Sequence, residues 1–235
     1  MASTSTAAVI GSTGLVGSYL LSTLLGLDAL KAVHTISRRA PKAESPKLAA
    51  IIEADTTKWA SSLSSISPTP AVVYSSLGTT RAQAGGIANQ WKIDHDLNVE
   101  LAKAAHAAGV KTFVFVSSGG TRSLISSQFP YSKMKIGVED TVKSLNFDQS
   151  IILRPGLILG QREVEHTGGS LMNTVVRSLS KISQGAQDKF GQEAEVIARA
   201  AVRASILAAE GKAPSKYWVL EQYDIVKLGR DEWKA

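Results

Sequence analysis

Short apolar runs alternate with amphipathic helical stretches, a glycine loop directly follows the first run, and no internal repeat interrupts the pattern. These observations predict an α/β chain: a doubly wound parallel sheet of Rossmann type with a small C-terminal elaboration on the substrate side. The 235 residues suit one such domain, with the elaboration expected over about 157–192 and 210–235.

The elements follow in order. Residues 7–10 (AAVI) are an apolar run of the kind a strand buried on both faces requires. Over 15–25, Leu15, Val16, Tyr19, Leu20 and Leu24 recur near helical spacing and define one buried face. Residues 33–36 make the second strand, Pro41 and Pro46 mark a loop, and 48–52 make the third strand. A helix over 58–66 is stopped by Pro68 and Pro70. Strands follow at 71–75, 112–116 and 150–153, with helices between them over 87–108 and 131–145. The sixth strand closes on Arg154-Pro155-Gly156, and beyond Gly160 the pattern loosens. A helix over 193–209 and a short strand at 217–220 complete the chain.

Composition excludes several functions. With no cysteine there are no disulfides, no thiolate nucleophile and no thiolate metal site. His34, His95, His106 and His166 are scattered, without metal-ligand spacing. The net charge of +6 favours anionic partners. No basic stripe carries interleaved aromatics, so nucleic acid is not an expected partner. The first residues leave no room for a charged signal-peptide start, and the apolar stretches fall short of the roughly 20 residues a membrane span needs. The chain is expected to be soluble or peripheral.

Gly11-Ser12-Thr13-Gly14-Leu15-Val16-Gly17 lies between a strand and a helix. Glycines there permit a tight turn and close approach of a pyrophosphate to backbone N–H groups, and the helix dipole attracts the anion. Ser12 and Thr13 add hydroxyl donors, and Gly17 lets the helix approach the strands. The second strand ends in Ser37-Arg38-Arg39, at the position where an NAD site usually carries an acidic residue for the ribose 2′-hydroxyl. Guanidiniums fit a 2′-phosphate instead, so the expected cofactor is NADP(H). Asp55, just past the third strand, is placed to accept from the adenine amino group.

Tyr131 and Lys135 are four residues apart on a helix and share a face. An ammonium beside a phenol hydroxyl favours the phenolate, so the pair suits proton exchange with a carbonyl oxygen as hydride arrives at carbon. Ser117 and Ser118 end the fifth strand, where a hydroxyl can hold the substrate oxygen. No G-x-S-x-G elbow surrounds them, which argues against a hydrolase nucleophile.

The motifs GSTGLVG, ISRR, SSLGTTRAQAG, FVSSGG, YSKMK and LRPGLILGQRE together resemble the atypical short-chain dehydrogenase/reductase family. More narrowly, the chain is similar to the fungal FMP (found in mitochondrial proteome) proteins and the Tat-interacting-protein oxidoreductases of animals. The resemblance runs from about Ala7 to at least Arg162, and SLGTTR and RPG-x-x-L-G-x-R-E are its specific blocks. It implies Ser–Tyr–Lys chemistry with Ser118 as the serine, Leu77 and Gly78 lining the cofactor, and Arg162 near the cofactor or substrate edge. The broader superfamily often carries Asn on the helix before the fifth strand; this chain departs there with Asp94. The resemblance further implies a peripheral place at the mitochondrial outer membrane, with a cytoplasmic one as the alternative, and leaves a homodimer open.

The expectation is therefore an NADPH-dependent carbonyl reductase or alcohol dehydrogenase acting on a small carbonyl or alcohol. The rivals are an NADPH-binding regulatory or scaffold protein with little turnover, and an isomerase or epimerase using bound cofactor.

Overall fold

The computed structural model describes residues 5–160, 188 and 190–234. The expected sheet is present. Its strands are β1 (Ser5–Ile10), β2 (Leu30–Ser37), β3 (Leu48–Ile52), β4 (Val72–Ser75), β5 (Thr112–Val116), β6 (Gln149–Leu153) and, late in the chain, β9 (Tyr217–Leu220). They run in the order β3-β2-β1-β4-β5-β6-β9, and every neighbouring pair is parallel. The order reverses between β1 and β4, and ligands of such sheets bind at the carboxyl ends beside that reversal. Two further strands, β7 (Leu157–Leu159) and β8 (Gly191–Glu193), pair separately with each other.

The sheet is buried on both faces, and the period of two sorts its side chains between them. Ala7 and Val9 of β1, Val114 and Val116 of β5, and Ile151 and Leu153 of β6 share one core with helices α1 (Leu15–Leu25) and α7 (Ala194–Ala209). Ala8, Ile10, Phe113, Phe115 and Ile152 point to the opposite core, under α2 (Trp59–Ser64), α5 (Asn98–Ala107) and α6 (Pro130–Leu145). Alternating burial of this kind is why the strands read as continuous apolar runs.

Short helices α3 (Arg81–Ala84) and α4 (Ile87–Trp91) precede α5, and α8 (Gln222–Val226) follows β9. Between α4 and α5 the chain makes a π turn over Lys92–Leu97. Such turns shift the helix face by one residue and often sit at functional sites. Here the turn buries Asp94, which is 1% exposed. Helix α6 starts on Pro130 at its first position, where the missing N–H costs nothing, and stops at Asn146 in the left-handed region, φ 57°.

Candidate active site

A cleft of about 690 Å³ opens over the carboxyl ends of β1, β2, β4 and β5. Its first wall is the loop after β1. Gly11 adopts φ +83°, and a Cβ there would stand 2.9 Å from the Leu77 nitrogen. A Cβ on Gly17 would stand 2.0 Å from the Gly11 carbonyl oxygen, so helix α1 rests on the loop by backbone contact alone. Gly11 and Gly17 thus shape the turn, while Ser12, Thr13, Gly14 and Leu15 line the cleft. Gly14 caps α1 without a side-chain hydrogen bond, and no acidic residue occupies the first turn. The helix N–H groups therefore present positive potential uncompensated by side chains. The Ser12 hydroxyl is buried without a hydrogen-bond partner. A buried unpaired donor is costly, and an anion in the cleft would satisfy it.

The second wall follows β2. The Ser37 hydroxyl donates to the Arg39 carbonyl at 2.7 Å and fixes the turn. Arg39 lines the cleft together with Pro41 and Lys42; Arg38 is exposed and does not. Asp55 also departs from expectation. Its carboxylate accepts from the Thr57 backbone N–H at 3.0 Å and from the Thr57 hydroxyl at 2.7 Å, capping a turn outside the cleft lining. The Thr57 bonds hold its carboxyl below the usual carboxylate range. Arg162 lies outside the described residues.

The third wall carries the Tyr131–Lys135 pair. Leu77 and Gly78 line the cleft, as do Tyr131 and Lys135 of α6. Lys135 is 5% exposed; its ammonium donates to the Val116 carbonyl at 3.3 Å and stands 4.9 Å over the Phe115 ring. Tyr131 is 41% exposed and borders both the cleft and an adjoining side pocket of about 220 Å³. Ser117 and Ser118 both reach that side pocket, and their hydroxyls differ. Ser117 is buried and donates to Glu139 at 2.6 Å, whereas Ser118 is half-buried.

Two buried carboxylates flank Lys135, and neither was assigned a role by sequence. Asp94 accepts from the Thr79 N–H at 2.7 Å and from the Gln90 amide at 3.4 Å. A Cβ on Gly78 would lie 3.6 Å from Asp94 Oδ1 and 3.8 Å from Lys135 Nζ, so the bare glycine leaves open space between them. Burial pushes the Asp94 carboxyl up, opposed by the Lys135 ammonium and the Thr79 bond. Glu139, one helical turn beyond Lys135, is 0% exposed. Arg154 donates to both of its oxygens, at 3.1 and 2.7 Å, and Arg122 donates to one, at 3.0 Å. Burial would raise the Glu139 carboxyl; the bonds from Arg154, Ser117 and Arg122 outweigh it and hold the group below its usual range. Arg154 also reaches Glu221, in the capping box of α8, at 2.9 Å.

The strand order, the glycine loop and the cleft at the reversal define a dinucleotide-fold protein. The chain belongs to the NAD dependent epimerase/dehydratase family, whose model matches residues 7–197. It is 63% identical over 227 residues to "Protein FMP52, mitochondrial" of Chaetomium globosum, covering 96% of this chain and 97% of that one. It is 62% identical over 229 residues to "Protein fmp52-2, mitochondrial" of Aspergillus oryzae, covering 97% and 99%. Among solved structures, UDP-glucuronic acid 4-epimerase from Bacillus cereus, in complex with UDP-glucuronic acid and NAD, superposes with a TM-score of 0.66 at 15% identity, covering 92% of this chain and 76% of that one. A short chain dehydrogenase family protein from Francisella tularensis gives 0.65 at 14% identity, covering 94% and 98%.

Proposed function

We propose that the chain is an NADPH-dependent carbonyl reductase or alcohol dehydrogenase in which Ser118, Tyr131 and Lys135 form the reacting site. The observation that carries this reading is one continuous cleft lined by Ser12–Leu15 at one end, Arg39 beside it, and Tyr131 with Lys135 at the other. A pure binding module needs the glycine loop and a cation; it has no use for a phenol and a buried ammonium beside a side pocket.

The residues fit a nicotinamide dinucleotide. The cleft falls within the roughly 300–1,000 Å³ usual for such ligands. The uncapped start of α1 and the orphaned Ser12 hydroxyl suit a pyrophosphate. Arg39 suits a 2′-phosphate, with Lys42 adding positive charge on the same wall. When bound, the reduced nicotinamide would supply hydride to the substrate carbon. Tyr131 gives the proton that the carbonyl oxygen then needs, Ser118 orients that oxygen by donating a hydrogen bond, and Lys135, anchored on the end of β5, places positive charge beside them. The relatives carry "mitochondrial" in their names, and no helix among the described residues is long and apolar enough to cross a membrane. Both fit peripheral association with the mitochondrial outer membrane.

The test is NADPH oxidation against a panel of aldehydes and ketones, with Tyr131→Phe as control. Removal of the proton donor should lower kcat by about 10²–10⁴-fold with little change in NADPH affinity. Tight NADPH binding without turnover on the whole panel would favour the scaffold reading. Arg39→Ala should weaken NADPH at least tenfold more than NADH, and Arg38→Ala less; equal losses for the two cofactors would refute the 2′-phosphate role.

A further inference from the structure

The side pocket carries a second message, about the substrate. Besides Ser117, whose hydroxyl is committed to Glu139, it is walled by Ser118, Tyr131, Pro155, Gly156, Leu157 and Ile158. Among the described residues, two hydroxyls, those of Ser118 and Tyr131, are its polar side-chain groups beyond Ser117; the other described walls are apolar side chains and backbone. No acidic or basic side chain is among the described residues lining it. Among the described residues, the two arginines nearest this edge of the sheet are already paired. Arg154, next to Pro155 in the chain, is held by Glu139 and Glu221, and Arg122 by Glu139 and Asp140. Lys135 is turned to the Val116 carbonyl and lines the cleft, not this pocket. Leu157, in the pocket wall, is 36% exposed, and the Phe190 carbonyl backs Gly156, where a Cβ would stand 2.6 Å from that oxygen.

We infer that this pocket selects neutral, apolar carbonyl compounds, aliphatic or aryl aldehydes and ketones, and rejects carboxylates, phosphates and nucleotide sugars. The inference rests on the reading of Ser118 and Tyr131 as the pair that holds the carbonyl oxygen. The two hydroxyls satisfy one neutral acceptor. A hydrocarbon tail lies against Pro155, Leu157 and Ile158 and gains roughly fourfold in affinity for each methylene it buries. An anionic group entering the same space loses its water and meets no counter-charge among the described residues that line it, which burial penalises heavily.

Unreactive probes separate this from turnover. Butanamide, hexanamide, hexanoate and UDP-glucose are titrated calorimetrically into the full chain with saturating NADPH. Hexanamide should bind at least tenfold more tightly than hexanoate and roughly tenfold more tightly than butanamide, which lacks two of its methylenes, and UDP-glucose should give no heat. Leu157→Asp should weaken hexanamide at least tenfold while the NADPH Kd is unchanged. Should that variant fail to hold NADPH, the milder Leu157→Ser, at a partly exposed position, should still weaken hexanamide several-fold. Hexanoate or UDP-glucose binding as tightly as hexanamide, or Leu157 variants without effect, would overturn the inference. Reduction of succinic semialdehyde as fast as hexanal would overturn it while leaving the reductase reading intact. Selective hexanamide binding with no aldehyde reduced would sustain the pocket's selectivity and sink the reductase reading.

Discussion

Asp94 and Glu139 are both buried, both project from helices that flank the same cleft, and their carboxyls shift in opposite directions. Asp94 receives an amide N–H and a side-chain amide, with the Lys135 ammonium across the gap left by Gly78. Glu139 receives two guanidiniums and a hydroxyl. Burial acts on both, so the partners decide the sign: the Lys135 ammonium and two neutral donors only soften its cost for Asp94, and bidentate Arg154 with Ser117 and Arg122 reverses it for Glu139. The two regions consequently differ in kind. The Glu139 cluster joins the ends of β5 and β6, the loop carrying Arg122 and the start of α8 into one clamp. The Asp94 region keeps a carboxyl that gives up its proton reluctantly beside the Tyr131–Lys135 end of the cleft.

The largest expected effect breaks the clamp. Glu139→Gln leaves Arg154 without its bidentate partner and should cost about 3 kcal/mol in urea denaturation, the lower end for a broken buried pair because Glu221 still holds one nitrogen. A loss below about 1 kcal/mol, the scale of an exposed ion pair, would erase the contrast. Next comes pH. The lowered Glu139 carboxyl contributes stability that is complete above its unfolded value of about 4.3 and is lost as pH falls through its lower native value. The raised Asp94 carboxyl works the other way, so stability falls as pH climbs from its unfolded value of about 3.9 toward its native one. In thermal melts across that range, Glu139→Gln should therefore flatten the acid limb, and Asp94→Asn should gain on the parent protein as pH rises. The same slope in both variants would show that the partners do not decide the sign. Smallest is Asp94→Asn below its native transition, within about 1 kcal/mol of the parent, because the Thr79 bond survives.

The inner strands were legible in the sequence because strands buried on both faces must be apolar throughout, as at 112–116, and the half-buried edge strands 48–52 and 217–220 also appear where expected. The glycine loop was legible because its turn has few alternatives. What escaped notice lacks a local period. Strands β7 and β8 have three residues each, too few to alternate. The π turn that turns Asp94 inward leaves no mark on helical spacing. Glu139 looks like part of a polar helix face, and its burial depends on Arg122 and Arg154 arriving from two other elements. The one available hint is its spacing from Tyr131 and Lys135, successive turns of the same face. Asp55 shows the converse: Asp-x-Thr after a strand is itself a local cap, which engages its Oδ1 and sets the residue outside the cleft lining.

Helix α1 meets the loop at Gly11 and Gly17 with no side chain between them. A turn sealed in this way is held by backbone contact rather than by a side chain that could swing aside. An incoming anion meets donors already in place, and the ordering entropy that a mobile loop would levy on binding was spent when the chain folded.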